Sequence, residues 1–251
     1  MPTFVHGKGT QVLFNQYDLS GYFNNADISQ SVETAETTGF GASSKSYIVG
    51  LQDATVSLSG MFDQTALASD VLLAAGLGAA TTPLLTIVPS TGTIGNTAII
   101  AKAHETSYSI SSPLGDVVSI SADFNASTDS TSGLTTGLKN GKILTTGASI
   151  LYSALGALTS VDNAASSANG GVATLHATVN SIAGGVTTIK VQSSADNSTW
   201  ADLITFTTVP ATTLTSEQKV VTGSVARYIR VTASTAGGSG SITFNVGFAR
   251  F

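Results

Sequence analysis

The sequence predicts a mainly β protein, with an N-terminal antiparallel β-sandwich or barrel carrying one α-helix and a small antiparallel β-sandwich after it. Three observations predict it. Apolar and polar residues alternate over most of the chain, the period of strands with one face on a core and one on water. Turns rich in Gly, Asn and Ser separate these runs at short intervals. Only 10% of the 251 residues are charged against 42% apolar, so the surface is built from hydroxyls and amides rather than ions.

In the first half, Val56, Leu58, Gly60 and Phe62 alternate with Thr55, Ser57, Ser59 and Met61. Val118, Ile120, Ala122 and Phe124 alternate with Ser119, Ser121 and Asp123, and Tyr108 and Ile110 sit between serines. One helix is expected between these strands. Asp63 is its candidate N-cap, and Leu67, Val71 and Ala74 fall on one face with Asp70 off it. Gly76 suits the left-handed residue beyond its end, with Leu77 packing back on the last turn.

Residues 126–170 are rich in Ser, Thr, Gly, Ala and Asn and read as a connector. The expected domains are 1–155 and 156–251. In the second, the stripes are Ala173, Leu175, Ala177 and Val179; Ile189 and Val191; Ile204 and Phe206; Ile229, Val231 and Ala233; and Ile242, Phe244, Val246 and Phe248. This spacing without a helix signal suits a sandwich of ordinary size. Asp196-Asn197 offers left-handed backbone for a tight turn just before Trp200, the only tryptophan. Packing on the sheet rim is the favoured reading of that ring, and stacking on a sugar is the other.

Charge divides unevenly. Residues 1–155 hold five lysines, no arginine and eleven acids, while residues 156–251 hold two lysines, three arginines and four acids. The first part has no basic patch for gripping nucleic acid. Enzyme chemistry finds no foothold. There is no cysteine, hence no disulfide or thiolate metal site. His6, His104 and His176 are isolated in sequence and read as surface residues, with His104 and Glu105 on opposite strand faces. No nucleophile elbow or phosphate loop occurs, and Ser216-Glu217-Gln218-Lys219 lacks the partner motifs of a Ser-x-x-Lys enzyme. Asp70, Gly76, Gly78 and Pro83 interrupt the longest apolar stretch, so no membrane span is expected. The first residues lack the apolar core of a cleavable signal. The expectation is a protein that is not an enzyme, with no cofactor and no metal.

Several segments together resemble the major tail proteins of siphophages, the subunits of the tail tube. They are Gly7-Lys8-Gly9-Thr10-Gln11-Val12-Leu13-Phe14, Tyr17-Asp18-Leu19-Ser20-Gly21-Tyr22-Phe23, and Glu33-Thr34-Ala35-Glu36-Thr37-Thr38-Gly39-Phe40-Gly41. They continue through Ser44-Lys45-Ser46-Tyr47-Ile48-Val49-Gly50-Leu51 and Ala54-Thr55-Val56-Ser57-Leu58-Ser59-Gly60-Met61-Phe62-Asp63. The likeness covers about the first 125 residues. Ser194, Asp196 and Trp200, with Arg227-Tyr228-Ile229-Arg230, resemble the added C-terminal immunoglobulin-like or carbohydrate-binding-like sandwich of some such proteins, with Asn197 where a glycine is usual.

The resemblance implies a tail-tube-type fold, made in the bacterial host cytoplasm and carried in the virion. Six copies would form a ring, rings would stack into a tube with other tail proteins at its ends, and DNA would pass through without specific binding. A long loop, Glu33 to Asp53 by position, would contact neighbouring copies through Phe40, Tyr47, Ile48 and Leu51. The lumen-facing acids are expected among Asp27, Glu33, Glu36, Asp116 and Asp123, because a neutral or acidic wall does not hold DNA. The alternative is a virion or cell-surface carbohydrate-binding module acting through the C-terminal sandwich, with Trp200 as the candidate contact to a host-surface glycan.

Overall fold

The computed structural model describes residues 4–127 and 137–251. In chain order the strands are β1 (Gln11–Phe14), β2 (Tyr17–Asp18), β3 (Phe23–Glu36), β4 (Tyr47–Met61), β5 (Leu84–Val88), β6 (Thr97–Ser111), β7 (Ser119–Ala126) and β8 (Leu138–Ile143). They continue as β9 (Ser149–Leu151), β10 (Val161–Asp162), β11 (Gly171–Asn180), β12 (Thr187–Ser194), β13 (Ala201–Thr205), β14 (Thr215–Val221), β15 (Tyr228–Thr235) and β16 (Ser241–Arg250). One α-helix, α1 (Ser69–Gly76), lies between β4 and β5. The protein is mainly β, and every pairing among the described strands is antiparallel, as the alternation predicts.

The described chain falls into two compact units. One comprises residues up to 21, 83–102 and those from 129 onward, and the other comprises 22–82 and 103–128. These divisions do not fall near residue 155. Part of the stretch read as a connector is instead strand: β8 and β9 both pair with β16. Residues 128–136 of that stretch lie outside the described residues.

In the first unit one sheet runs β14-β11-β16-β8-β6-β5-β1-β2, and a second runs β10-β15-β12-β13. A single buried cluster joins them, containing Ala173, Leu175 and Ala177, Ile189 and Val191, Ile204 and Phe206, Ile229, Val231 and Ala233, and Ile242, Phe244, Val246 and Phe248. These are the residues that the period-two stripes select. Val179 departs from its stripe and is exposed, because a register shift between Ala177 and Val179 turns the strand there.

β11 and β16 are covered on both faces. Behind the sandwich core, Val172 and Ala249 pack with Ile100, and a buried polar chain runs beside them. The Thr86 hydroxyl lies 2.8 Å from His176 Nε2 and 3.2 Å from Thr174 Oγ1, while His176 Nδ1 meets the carbonyl oxygen of Asn15. His176 is thus fully buried rather than a surface residue, because the face of β11 that alternation marks as polar meets a second layer of protein.

Candidate functional site

The second unit is organised on the four-stranded sheet β3-β4-β7-β6. Strand alternation gives it two different faces. On one, Val56 and Leu58 lie across from Ala122 and Phe124, with Ile120 beside them, and all five are buried. α1 belongs to this unit. Ser69 Oγ donates to the Met61 carbonyl oxygen, and the Tyr108 hydroxyl donates to Asp70 Oδ1 at 2.5 Å.

The helix differs from its expected form. Asp63 is not its N-cap. The Asp63 carboxylate accepts the Thr65 N–H at 2.8 Å, which lowers its pKa, and Leu67 then takes a left-handed φ of 65° that no helix tolerates. The N-cap position is Ala68, with no side-chain cap. Ser69 and Leu73 are the buried residues of α1, whereas Leu67, Val71 and Ala74 are exposed. The left-handed residue past the end is Gly78 rather than Gly76, because the C-cap is Leu77, whose backbone is extended with φ −63° and ψ 118°.

Glu105 stands on the buried side of β6, 5% exposed and with neither carboxylate oxygen hydrogen-bonded. Burial alone pushes its pKa up to about 8. His104, its neighbour, is exposed on the opposite side and meets Thr82 Oγ1 at 3.3 Å.

The opposite face of the sheet carries hydroxyls, amides and carboxylates. Asn25, Asp27 and Ser29 on β3 lie across from Ser59, Ser57 and Thr55 on β4. Those pair in turn with Ser121, Asp123 and Asn125 on β7, and Ser107, Ser109 and Ser111 on β6 complete the face. Asp27, Ser57, Asp123 and Ser107 form one row across all four strands. Ser107 and Ser57 each donate to the Asp123 carboxylate at 2.6 Å, and these bonds hold its pKa below the ordinary value. Asn25 donates to Asp27 at 2.8 Å, and the Ser109 and Ser121 hydroxyls are 2.8 Å apart. No lysine or arginine occurs on this face; the whole unit has nine acids and a single lysine, Lys45.

The segment expected to be a loop from Glu33 to Asp53 is mostly strand. β3 and β4 pair as far as Glu36 and Tyr47, leaving only residues 37–46 as the connection. Every residue from 29 to 53 is exposed. Cross-strand hydrogen bonds therefore hold this hairpin arm, without a core beneath it. Phe40 lies in its tip, and Tyr47, Ile48 and Leu51 lie on β4, all exposed. Glu33 and Glu36 are on β3, where Glu36 pairs with Lys45 at 3.0 Å. Asp116 lies in the turn between β6 and β7. Of the five acids singled out in the sequence, Asp27 and Asp123 are thus brought together on one face.

Trp200 closes the turn after β12. Asn197 takes a φ of 59°, and the Asp196 carboxylate accepts the N–H groups of Thr199 and Ser198. The Arg230 guanidinium sits 4.1 Å from the Trp200 ring centroid, so one ring face is already stacked. Among the described residues, no group of three His, Cys, Asp or Glu side chains is arranged to hold a metal, and no helix is long and apolar enough to cross a membrane.

The sequence matches no protein-family model and no curated protein. Among solved structures, the chain is similar to a component of the virion of a native gene transfer agent particle, with 14% identity and a TM-score of 0.43 over 50% of this chain and 96% of the other. A component of the tail of an empty gene transfer agent particle, determined with C6 symmetry, gives 16% identity and a TM-score of 0.39 over 50% and 96%. The SPP1 Dit protein, described as a hub adsorption apparatus of phages infecting Gram-positive bacteria, gives 10% identity and a TM-score of 0.34 over 90% and 98%. These structural neighbours come from phage and gene transfer agent particles, and at TM-scores below 0.5 they carry no argument about what the chain does.

Proposed function

We propose that this chain is a non-catalytic structural subunit of a phage tail, which assembles as stacked hexameric rings into a tube that conducts DNA. The observation that carries the reading is the β3-β4-β7-β6 sheet, with one face buried, one face of hydroxyls and carboxylates, and two open edges. Among the described strands, β3 pairs only with β4, and the part of β6 within this unit pairs only with β7. Such edges are a template for pairing between chains. Because the four strands alternate in direction, β3 and β6 run oppositely. A rotated copy keeps its strand directions, so its β6 meets the neighbour's β3 antiparallel, and the sheet closes into a ring.

The polar face of that ring would line the conduit. A wall of hydroxyls with Asp27 and Asp123 offers DNA phosphates no cation to bind, so the strand slides rather than sticks. The six-fold count and the role in tails rest on the sequence resemblance. The Trp200 ring, stacked by Arg230, favours a packing role over glycan capture.

Negative-stain microscopy of concentrated protein tests the reading, with hollow tubes of regular width as the expected result and persistent monomers as the overturning one. A second arm uses Ser109→Lys with Ser121→Lys. Tubes of this variant should retain duplex DNA in a salt-sensitive manner while wild-type tubes do not. Equal retention by both would remove the conduit face from this surface.

A further inference from the structure

We propose that the cleft where β10, the edge strand of the smaller sheet, meets β8 and β16 binds a small organic oxyanion: a carboxylate or phosphate group carried on a body with an apolar face. The site lies wholly in the first unit and stands whether or not the chain polymerises. A cleft of about 260 Å³ opens there between the two sheets. Its floor is Leu144, Ile229 and Phe248, three buried members of the sandwich core. Its walls include Lys142 on β8 and Arg250 on β16. Phe248 pairs with Lys142 and Arg250 follows two residues later, so alternation puts these three side chains on the same side of their sheet.

Both cations have donors left over. Arg250 Nη1 donates to the Ser167 hydroxyl at 3.2 Å and the Val225 carbonyl at 2.9 Å, and Nη2 donates to the Ala226 and Arg227 carbonyls. These bonds use every N–H of the guanidinium except the one on Nε, which is buried and has no partner. All the partners are neutral, and among the described residues no carboxylate pairs with Arg250. A buried donor without an acceptor is rare in a native structure and marks a missing partner. A half-buried guanidinium without a counter-ion is costly on the same ground, and desolvation lowers its pKa. Lys142 makes one long contact, 3.4 Å to the Asp162 carbonyl oxygen, out of three donors.

The neighbouring acid does not fill this role. The Asp162 carboxylate is gripped in a fork by Arg227, Nε to Oδ1 at 2.7 Å and Nη2 to Oδ2 at 2.6 Å. Lys142, Arg227 and Arg250 thus stand around one carboxylate, which leaves the cleft cationic. Its chemistry selects the occupant. Charge-assisted bonds favour an oxyanion over a neutral group, and the core side chains of the floor favour an apolar face beside it. The volume is at the small end of ligand clefts, which suits a small molecule rather than a peptide.

Calorimetric titration of the full chain with phenyl phosphate, benzoate and benzyl alcohol tests this, and on the wild type it needs no variant. The two anions should bind saturably, one per chain, and benzyl alcohol, similar in shape to benzoate but neutral, should not. Inorganic phosphate should bind more weakly than phenyl phosphate, and equal affinity would overturn the apolar floor as part of the site. Lys142→Gln, at a half-buried position outside the core, should weaken both aromatic anions about tenfold. Lys190→Gln, which removes the cation paired with Asp202, should leave them unchanged. Absence of saturable binding by either anion overturns the proposal, as does benzyl alcohol binding as well as benzoate or a Lys142→Gln protein that binds like the wild type.

Discussion

His176 Nδ1 donates to the carbonyl oxygen of Asn15 across 161 positions of sequence, tying the first hairpin to β11. Its Nε2 lies 2.8 Å from the Thr86 hydroxyl, which can donate to it, so the neutral ring has a partner on both nitrogens. Burial lowers its pKa from 6.5 to about 4. The unfolded chain therefore binds a proton that the folded chain refuses, and stability falls as pH drops from 6.5 to about 4, by about 3 kcal/mol at most. Asp162, held to about 2 by Arg227, and Asp196, held to about 2 by the Thr199 N–H, withdraw their contributions only below their ordinary value of 3.8. Because Glu105 titrates in the opposite sense over this range, the check is a comparison: from pH 7 to pH 4 the urea midpoint of the wild type should fall relative to that of His176→Gln, which starts lower at pH 7.

Glu105 acts in the opposite sense. Its pKa rises from 4.5 to about 8, so the folded chain holds a proton that the unfolded chain has released. Its contribution is complete below pH 4.5 and is lost as pH rises through 8. Glu105→Met, similar in size and with no polar atoms to satisfy, should stabilise the protein, most of all near pH 8 and above. Melting temperatures of the two proteins at pH 5 and pH 8.5 check this, and an equal shift at both would dismiss the buried carboxylate as the cause.

Gly60 permits the close passage of β3 over β4. A Cβ placed there would stand 2.1 Å from the Tyr22 carbonyl oxygen and 2.7 Å from the Phe23 Cα, both backbone atoms. The register shift between Phe23 and Asn25 lies directly beside it. Gly60→Ala should cost about 1–3 kcal/mol in chemical denaturation. Gly39→Ala, which meets no atom, should be close to neutral.

Trp200 reports on its own stacking partner. With Arg230 over the ring, Arg230→Ala should expose the indole face, shift emission to the red and destabilise by about 1 kcal/mol. Arg230 also donates to Gln192 at 2.9 Å, and Gln192→Ala should leave the spectrum unchanged if the guanidinium is what shields the ring.

The sandwich core was legible in the sequence because β12, β15 and the inward side of β16 each present one apolar and one polar face. His176 and Thr174 were not, because the second face of β11 is also buried, and a polar residue there looks the same as one in water. The helix misled for a different reason. Its short Leu- and Ala-rich stretch offers apolar residues on every side, so Leu67, Val71 and Ala74 made as good a stripe as the one Leu73 buries. The loop from Glu33 to Asp53 came from the resemblance by position, and strands exposed on both sides carry no alternation that could have corrected it. The pairing of β16 with β8 and β9 spans about a hundred residues, and local pattern says nothing about partners so distant. On the polar face, Asp27 and Asp123 stood out by charge, while the serines that complete their row looked like ordinary solvent-facing positions.

The lone lysine of the arm has a consequence for proteolysis. Between Lys8 and Lys102 no other lysine or arginine occurs, so within that stretch trypsin has one bond to cut, Lys45–Ser46. That bond lies in the exposed tip of the hairpin. A free subunit offers it to the protease, and in the assembly proposed above a tip covered by a neighbour would withhold it. The fragment ending at Lys45 would then count the tips left open in any preparation.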